Sequence, residues 1–289
     1  MRVRYRSLVA ILVSLAATPV QAATWYVHPG GGGDTTTIQG GVDLAANGDS
    51  VLVAPGTYTG AGNVNVLVDS KSITIVSEST AYNTILDCQG SGQGFIFVNA
   101  DGSVLHGFTV KNGLGAQGGG IRLDNTDMTV RYNIVSGNTA TLAGGGIFVF
   151  KGNSTIHNNT IVDNWAPAGG GLALKGPITG QVYQNIICTS AGGGGIDCTT
   201  GPFNTVFTCN DIWGNVGGDA ICAVDGGSNI SVDPLFCGIP GSGNVYIQQT
   251  SQCTATFSPC GQAIGALGIL CTTTKTQSVT WGTIKALYR

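Results

Sequence analysis

The sequence predicts an all-β fold, a single-stranded parallel β-helix whose coils are about 25 residues long. Three observations carry this: a repeated glycine triplet, two repeated asparagine columns, and alternating apolar residues between them. The triplet stands at Gly118, Gly144, Gly169 and Gly193, in steps of 26, 25 and 24 residues. One polar column is Asn133, Asn159, Asn185 and Asn210; the other is Asn112, Asn138, Asn164, Ser190 and Asn215. Independent columns sharing one period of 20–50 residues are the mark of a solenoid.

Each repeat holds about three short strands. Alternation after the glycines (Ile147-Phe148-Val149-Phe150, and Leu172-Ala173-Leu174-Lys175) gives a strand with one face inside. Three apolar columns follow: Ile121, Ile147, Leu172 and Ile196; Val130, Ile156, Val182 and Phe207; Val135, Ile161, Ile187 and Ile212. Stacking such units buries a core that no unit could bury alone. The glycines read as coil corners, where left-handed φ and close backbone stacking exclude a Cβ. A phosphate loop would need Lys-Ser or Lys-Thr after the glycines, and none of the four triplets has one. Asn112, Asn138, Asn164 and Asn215 are expected to form a structural ladder, each amide bonding its own turn and its neighbours.

Both open ends of a solenoid need covers. In front, Ile38, Val42, Ala45 and Ala46 follow a Thr cluster at helical spacing, predicting a short amphipathic helix with Thr37 as N-cap and Gly48 as stop. Behind, the cysteine-rich stretch 237–271 is expected to close the last coil. The predicted organisation is a leader over 1–22, a β-helix over 23–271 with its front cap in 24–60, and a linker and tail over 272–289.

The leader reading rests on Arg2, Arg4 and Arg6, the apolar run Leu8 to Val20, and small residues ending at Ala22, the expected cleavage site. It predicts export to the cell surface, periplasm or medium, with no membrane span left after cleavage. Eight cysteines agree: Cys188, Cys198, Cys209, Cys222, Cys237, Cys253, Cys260 and Cys271 cluster in the last third and read as disulfides. Local pairing is expected: Cys188–Cys198, Cys209–Cys222 and Cys253–Cys260, with Cys237–Cys271 closing the end. No C-x-x-C pair and no nearby His support zinc, so no metal and no cofactor are expected. With 9% charged residues and a net charge of −3, the chain lacks the basic patch that nucleic acid requires. It is expected to act as a monomer on a polysaccharide or a cell-surface component.

The stretch from Thr24 to Tyr58, the "GGGI…NxI…N" coils and the "DPLFC" stretch at Asp233–Cys237 resemble secreted bacterial right-handed parallel β-helix proteins of the pectin-lyase-like fold. The resemblance covers roughly residues 24–271 and implies the fold; pectate lyases, polygalacturonases, pectin methylesterases, epimerases and adhesins share it, so activity stays open. The acidic stack of calcium-dependent pectate lyases is missing: the outward columns Arg122, Phe148, Ala173, Asp197 and Asp124, Phe150, Lys175, Thr199 each hold one acid. Glu78 is the single glutamate and no Asp-Asp pair exists, against a paired-carboxylate hydrolase. Asp233-Pro234 is followed by Leu235 rather than the His of the epimerase pattern, and reads as a turn.

Two surfaces remain. Arg131, His157 and Tyr183 precede the Asn of their coils by two residues and share an outward column. Arg there neutralises a uronate carboxylate while His or Tyr moves a proton, a metal-independent lyase arrangement; an ordinary solvated face is the alternative. Phe148, Phe150, Trp165 and Trp213 offer aromatic surface for sugar rings, unless a loop covers them. His28 and His106 read as surface or packing residues. The main expectation is polysaccharide or surface binding without catalysis, with a lyase or hydrolase on the Arg131 column and a structural adhesin as alternatives. A cleft flanking the Arg131 column favours an enzyme; exposed Phe148 and Phe150 favour binding alone.

Overall fold

A computed structural model describes residues 21–238 and 244–271. Most of the leader reading and all of the 272–289 tail lie outside the described residues.

The chain winds as a right-handed parallel β-helix. A nine-stranded face runs from Thr24–Val27 through Thr129–Arg131, Thr155–His157 and Gln181–Tyr183 to Val224–Asp225; we call it face one. Face two has seven strands, among them Ile134–Ser136, Thr160–Val162, Ile186–Cys188 and Asp211–Trp213. Face three has six, among them Ile121–Asp124, Ile147–Gly152, Leu172–Ile178 and Ile196–Thr199. A four-stranded ribbon, including Thr139–Ala143 and Trp165–Ala166, bridges faces two and three. The strand pairings between coils are parallel, with register shifts only at Gly115–Gln117 and Phe150–Gly152 among the coil strands: Val130 lies beside Ile156, Val135 beside Ile161, and Ile121 beside Ile147. The three predicted apolar columns all point inward and, with Phe95, Phe97 and Phe108, fill one continuous core.

Polar residues line two of the corners from inside. Asn133 donates through Nδ2 to Asn159 Oδ1 at 3.1 Å, Asn159 to Asn185 at 3.0 Å, Asn185 to Asn210 at 3.0 Å, and Asn210 to Asn229 at 2.9 Å. In the second column Asn138 donates to Asn164 Oδ1 at 3.0 Å, and the backbone N–H of Ser190 donates to Asn215 Oδ1 at 2.9 Å. Asn112 is not a rung. Thr109 pairs with Ile134, so the step to the next coil is 25 residues and Gly113, not Asn112, donates to Asn138 Oδ1. Asn112 instead takes the left-handed corner, φ 55°, and points outward to Asp87 at 2.8 Å.

The triplet forms the corner entering face three. Gly144 has φ 65°, and a Cβ on Gly145 would sit 2.4 Å from Trp165 O in the next coil. Backbone donors climb directly from corner to corner, as from Gly146 to Gly170 O at 3.0 Å.

In front, the helix Ile38–Leu44 lies over the first coil with Thr37 Oγ1 accepting from Gly40 N. It stops at Ala45, three residues before the predicted Gly48. Asp49 is responsible: its carboxylate accepts from Ala46 N at 2.9 Å, Ala23 N at 2.7 Å and Trp25 Nε1 at 3.0 Å, turning the chain early. Those bonds hold the Asp49 carboxyl below its ordinary range.

The cysteine-rich stretch does not simply close the last coil. It runs back up the corner between faces one and two. Gly265 donates to Gln184 O at 2.8 Å, Ala266 to Thr160 Oγ1 at 3.0 Å, and Tyr246 meets Tyr82, several coils earlier, with ring centroids 5.5 Å apart. We call residues 244–268 the flap. Its apolar side chains Val245, Ile264 and Leu267 bury a second cluster against the outer side of face two.

The disulfides are Cys198–Cys222, Cys209–Cys260 and Cys237–Cys271. Only the last matches the local pairing expected from spacing; Cys188–Cys198, Cys209–Cys222 and Cys253–Cys260 do not form. Residues ten apart in a coil lie on different faces, whereas neighbours in space are one coil away, as the 24-residue separation of Cys198 and Cys222 shows. Cys188 and Cys253 are buried free thiols, as is Cys88.

Candidate functional site

Arg131, His157 and Tyr183 stand side by side on face one, Arg131 in register with His157 and His157 with Tyr183. The column begins one coil earlier, because His106 is in register with Arg131. The imidazole of His157 stacks on the Tyr183 ring, with centroids 4.7 Å apart and planes within 7°.

The corner after this column supplies a second row. Tyr132, Asn158, Gln184 and Cys209 all have left-handed φ, between 51° and 60°. That conformation is uncommon for a tyrosine and costs on the order of 1–3 kcal/mol. It is held by the ladder behind it, where Asn133 Nδ2 donates to Arg131 O at 2.9 Å. The corner throws Tyr132 outward between the two histidines, 5.3 Å from the His106 ring and 6.0 Å from that of His157.

Asn158 sets the chemistry of His157. Its Nδ2 donates to Ala263 O on the flap at 3.1 Å, which turns its Oδ1 toward His157 Nδ1, 2.9 Å away. An amide oxygen only accepts, so Nδ1 carries the proton and Nε2 keeps its lone pair. Burial and the Arg131 charge hold His157 below its ordinary pKa, outweighing the Asn158 bond, so the ring is neutral at neutral pH. Burial, then Arg131 and His157, lower His106 in the same way. Arg131 makes no ion pair among the described residues, and its Nε is buried without a partner. The site therefore offers one unpaired guanidinium between two neutral imidazoles.

The flap walls the column on its face-two side and leaves a cavity toward each end. One, about 280 Å³, lies between His106, Tyr132, Tyr246 and Leu267. The other, about 410 Å³, lies between Tyr183, Gln184, Thr208 and the Cys209–Cys260 bridge.

The aromatic surface is different from that expected. Phe148 points outward from face three but is 1% exposed, covered by Ala143 and Ala173 with Ala168 beside them. Phe150 is half-buried, with the Lys151 ammonium 4.9 Å from its ring centre. Trp165 is 44% exposed on the short ribbon, and Trp213 packs against the flap cluster on face two. The four rings lie on three different surfaces and form no common platform. The glycine corners bring the ribbon over Phe148, which is why its strand position alone is misleading.

Residues 41–234 match the family described as the right handed beta helix region. The chain belongs to that family. No curated protein matches it. Among solved structures it is similar to the pectin methylesterase from carrot, at 11% identity and a TM-score of 0.33, over 76% of this chain and 91% of that one.

Within this β-helix, no group of three or more His, Cys, Asp or Glu side chains is arranged to hold a metal ion among the described residues. Arg122 and Asp124 on face three pair with each other at 2.6 Å. Sequence reading set His106 aside as a surface or packing residue, which its register with Arg131 corrects, and passed over Tyr132, Asn158 and Tyr246. His106 was legible from the period, 25 residues before Arg131; Tyr246 was not, since nothing in the spacing shows that the flap turns back.

Proposed function

We propose that this chain binds an anionic, uronate-containing polysaccharide along the Arg131 column and cleaves it by β-elimination. The observation that supports this most is the neutral His157 imidazole, fixed by Asn158 with Nε2 free and one strand away from an unpaired Arg131. A guanidinium on the uronate carboxylate acidifies the adjacent C5–H. His157 Nε2 takes that proton, the C4–O bond breaks with its electron pair leaving on the glycosidic oxygen, and a C4–C5 double bond forms. The new imidazolium, or the Tyr183 hydroxyl stacked on it, supplies the proton to the departing oxygen. The three disulfides fit an oxidising compartment, and with the leader reading they support export.

Binding without catalysis is the second reading. The covered Phe148 removes its aromatic face, but the cavities flanking the column would serve a binder equally. The test is to incubate the protein with uronate polymers and follow the absorbance of unsaturated uronates. The expected result is product from the native chain, reduced roughly a hundredfold to ten-thousandfold in His157→Gln and similarly in Arg131→Ala. Undiminished product in either variant overturns the lyase reading. Polymer binding without product leaves the binding reading in place.

A further inference from the structure

We infer that the cavity between His106, Tyr132 and Tyr246 is a subsite for an uncharged sugar ring, next to the uronate held by Arg131. The inference rests on the proposed uronate site and specifies the polymer it takes.

The cavity measures about 280 Å³ and opens beside the column, since His106 belongs to both. Its inner wall is built on the coils by Ser79, His106 and Tyr132, and its outer wall on the flap by Tyr246 and Leu267. No side chain lining it is formally charged at neutral pH: His106 is the one titratable base, and burial together with the Arg131 charge keeps it neutral. A carboxylate entering here would lose its hydration and find no cation on these walls, which is costly. A pyranose ring suits them better. Its C–H faces lie against tyrosine rings, and its hydroxyl rim finds hydroxyl and imidazole groups.

His106 adds a directed donor. Its Nδ1 is buried with no hydrogen-bond partner. An orphaned buried N–H is rarer than an under-satisfied acceptor, so the bare nitrogen is Nδ1 and the proton sits on Nε2. The two imidazoles flanking Arg131 thus differ: His157 presents a lone pair and His106 an N–H. The first suits proton abstraction and the second suits a sugar oxygen. Tyr132, thrown out by its left-handed corner, separates them.

The polymer inferred is one in which a uronate is joined to a neutral hexose or to an esterified uronate. Calorimetry with three probes tests this: a free uronate monosaccharide, a diuronide, and a disaccharide of a uronate and a neutral hexose. The native chain is expected to bind the mixed disaccharide about tenfold more tightly than the monosaccharide, and the diuronide with little of that gain. The gain is expected to vanish in His106→Gln and in Ala266→Phe, which fills the cavity from the flap, while monosaccharide binding persists in both. Hydrogen exchange over the flap checks that Ala266→Phe keeps it docked; if it does not, His106→Gln decides. An equal gain for the diuronide, or a gain retained in His106→Gln, overturns the subsite and leaves the Arg131 site standing. A native chain that binds none of the three probes overturns both.

Discussion

Asn158 holds His157 from one side and the flap from the other: Oδ1 lies 2.9 Å from His157 Nδ1 while Nδ2 donates to Ala263 O. Its left-handed φ of 51° is what allows a side chain adjacent in sequence to reach the imidazole. Glycine tolerates that backbone, so Asn158→Gly removes the amide without straining the corner. Losing one hydrogen bond of about 1 kcal/mol is expected to cost turnover roughly five- to tenfold. The acid limb of the pH–rate profile should move as well. In the native chain His157 titrates below its ordinary 6.5, so activity is expected to fall only below that pH, as the base becomes protonated. The Asn158 bond favours the charged ring, so its loss moves the limb lower still. An unmoved limb would show that Asn158 does not act through His157.

The rungs of the inner ladder and the corner asparagines should differ sharply in cost. Asn185 is fully buried, accepts from Asn159, and donates to Asn210 Oδ1 and to the carbonyls of Ile156 and Tyr183. Asn185→Ala strands several of these groups, each worth about 1–3 kcal/mol when left buried and unpaired. Chemical denaturation is expected to show a loss of at least 3 kcal/mol, on the order of the larger single-site effects. Asn112→Gly, on an exposed corner of positive φ, should stay within about 0.5 kcal/mol. Equal losses would mean that the inner column is not the framework of the coils.

What was legible followed from the period. Ile121, Ile147, Leu172 and Ile196 fall in register because each coil must bury the same positions against the same neighbours. The same rule made Arg131, His157 and Tyr183 adjacent, and would have added His106. Local irregularity hid the rest. A 25-residue step ahead of the 26-residue step from Asn138 to Asn164 moved Asn112 one place, from rung to corner. The ribbon that covers Phe148 and the flap that walls the column are contacts between segments far apart in sequence, with no periodicity to reveal them. Cys237–Cys271 was legible, but Cys209–Cys260 was not: those two are 51 residues apart and meet only because the flap turns back.

Cys260 is the covalent tie between flap and coils. Cys260→Ser cuts it without touching Arg131 or His157, and the cavity at Tyr183 loses one wall. A native disulfide typically contributes about 2–4 kcal/mol; here the loss should fall on the flap rather than on the coils. Hydrogen exchange is expected to quicken over residues 244–268 and remain slow on Val130, Ile156 and Val182. Polymer affinity should fall alongside. Uniform quickening across the core would mean that the flap is integral to coil stability.

Asp211 makes the flap sensitive to pH. It is fully buried on the outer side of face two, accepts from Val232 N at 3.1 Å, and lies 3.1 Å from Cys253 Sγ on the flap. Burial raises its pKa from 3.8 to about 6, against the hydrogen bonds of Cys253 and Val232; Asp233 and Asp219 raise it further. The folded value is thus above the unfolded one, and the folded chain holds the proton more tightly. Its contribution is complete below pH 3.8 and is lost as pH rises through about 6. A shift of this size corresponds to roughly 3 kcal/mol. Asp49 works in the opposite sense, its stabilising bonds being lost only when acid protonates it, below its ordinary range. Between pH 4.5 and 7.5 Asp211 is expected to quicken flap exchange as pH rises, after correction for the intrinsic rate, while His106 and His157, held below their ordinary pKa by burial, act in the opposite sense. Asp211→Asn keeps an acceptor for Val232 and carries no charge, so the quickening with rising pH should disappear from its corrected exchange, leaving only the opposite trend of the two histidines. A quickening with rising pH that survives in Asp211→Asn would assign the sensitivity to another group.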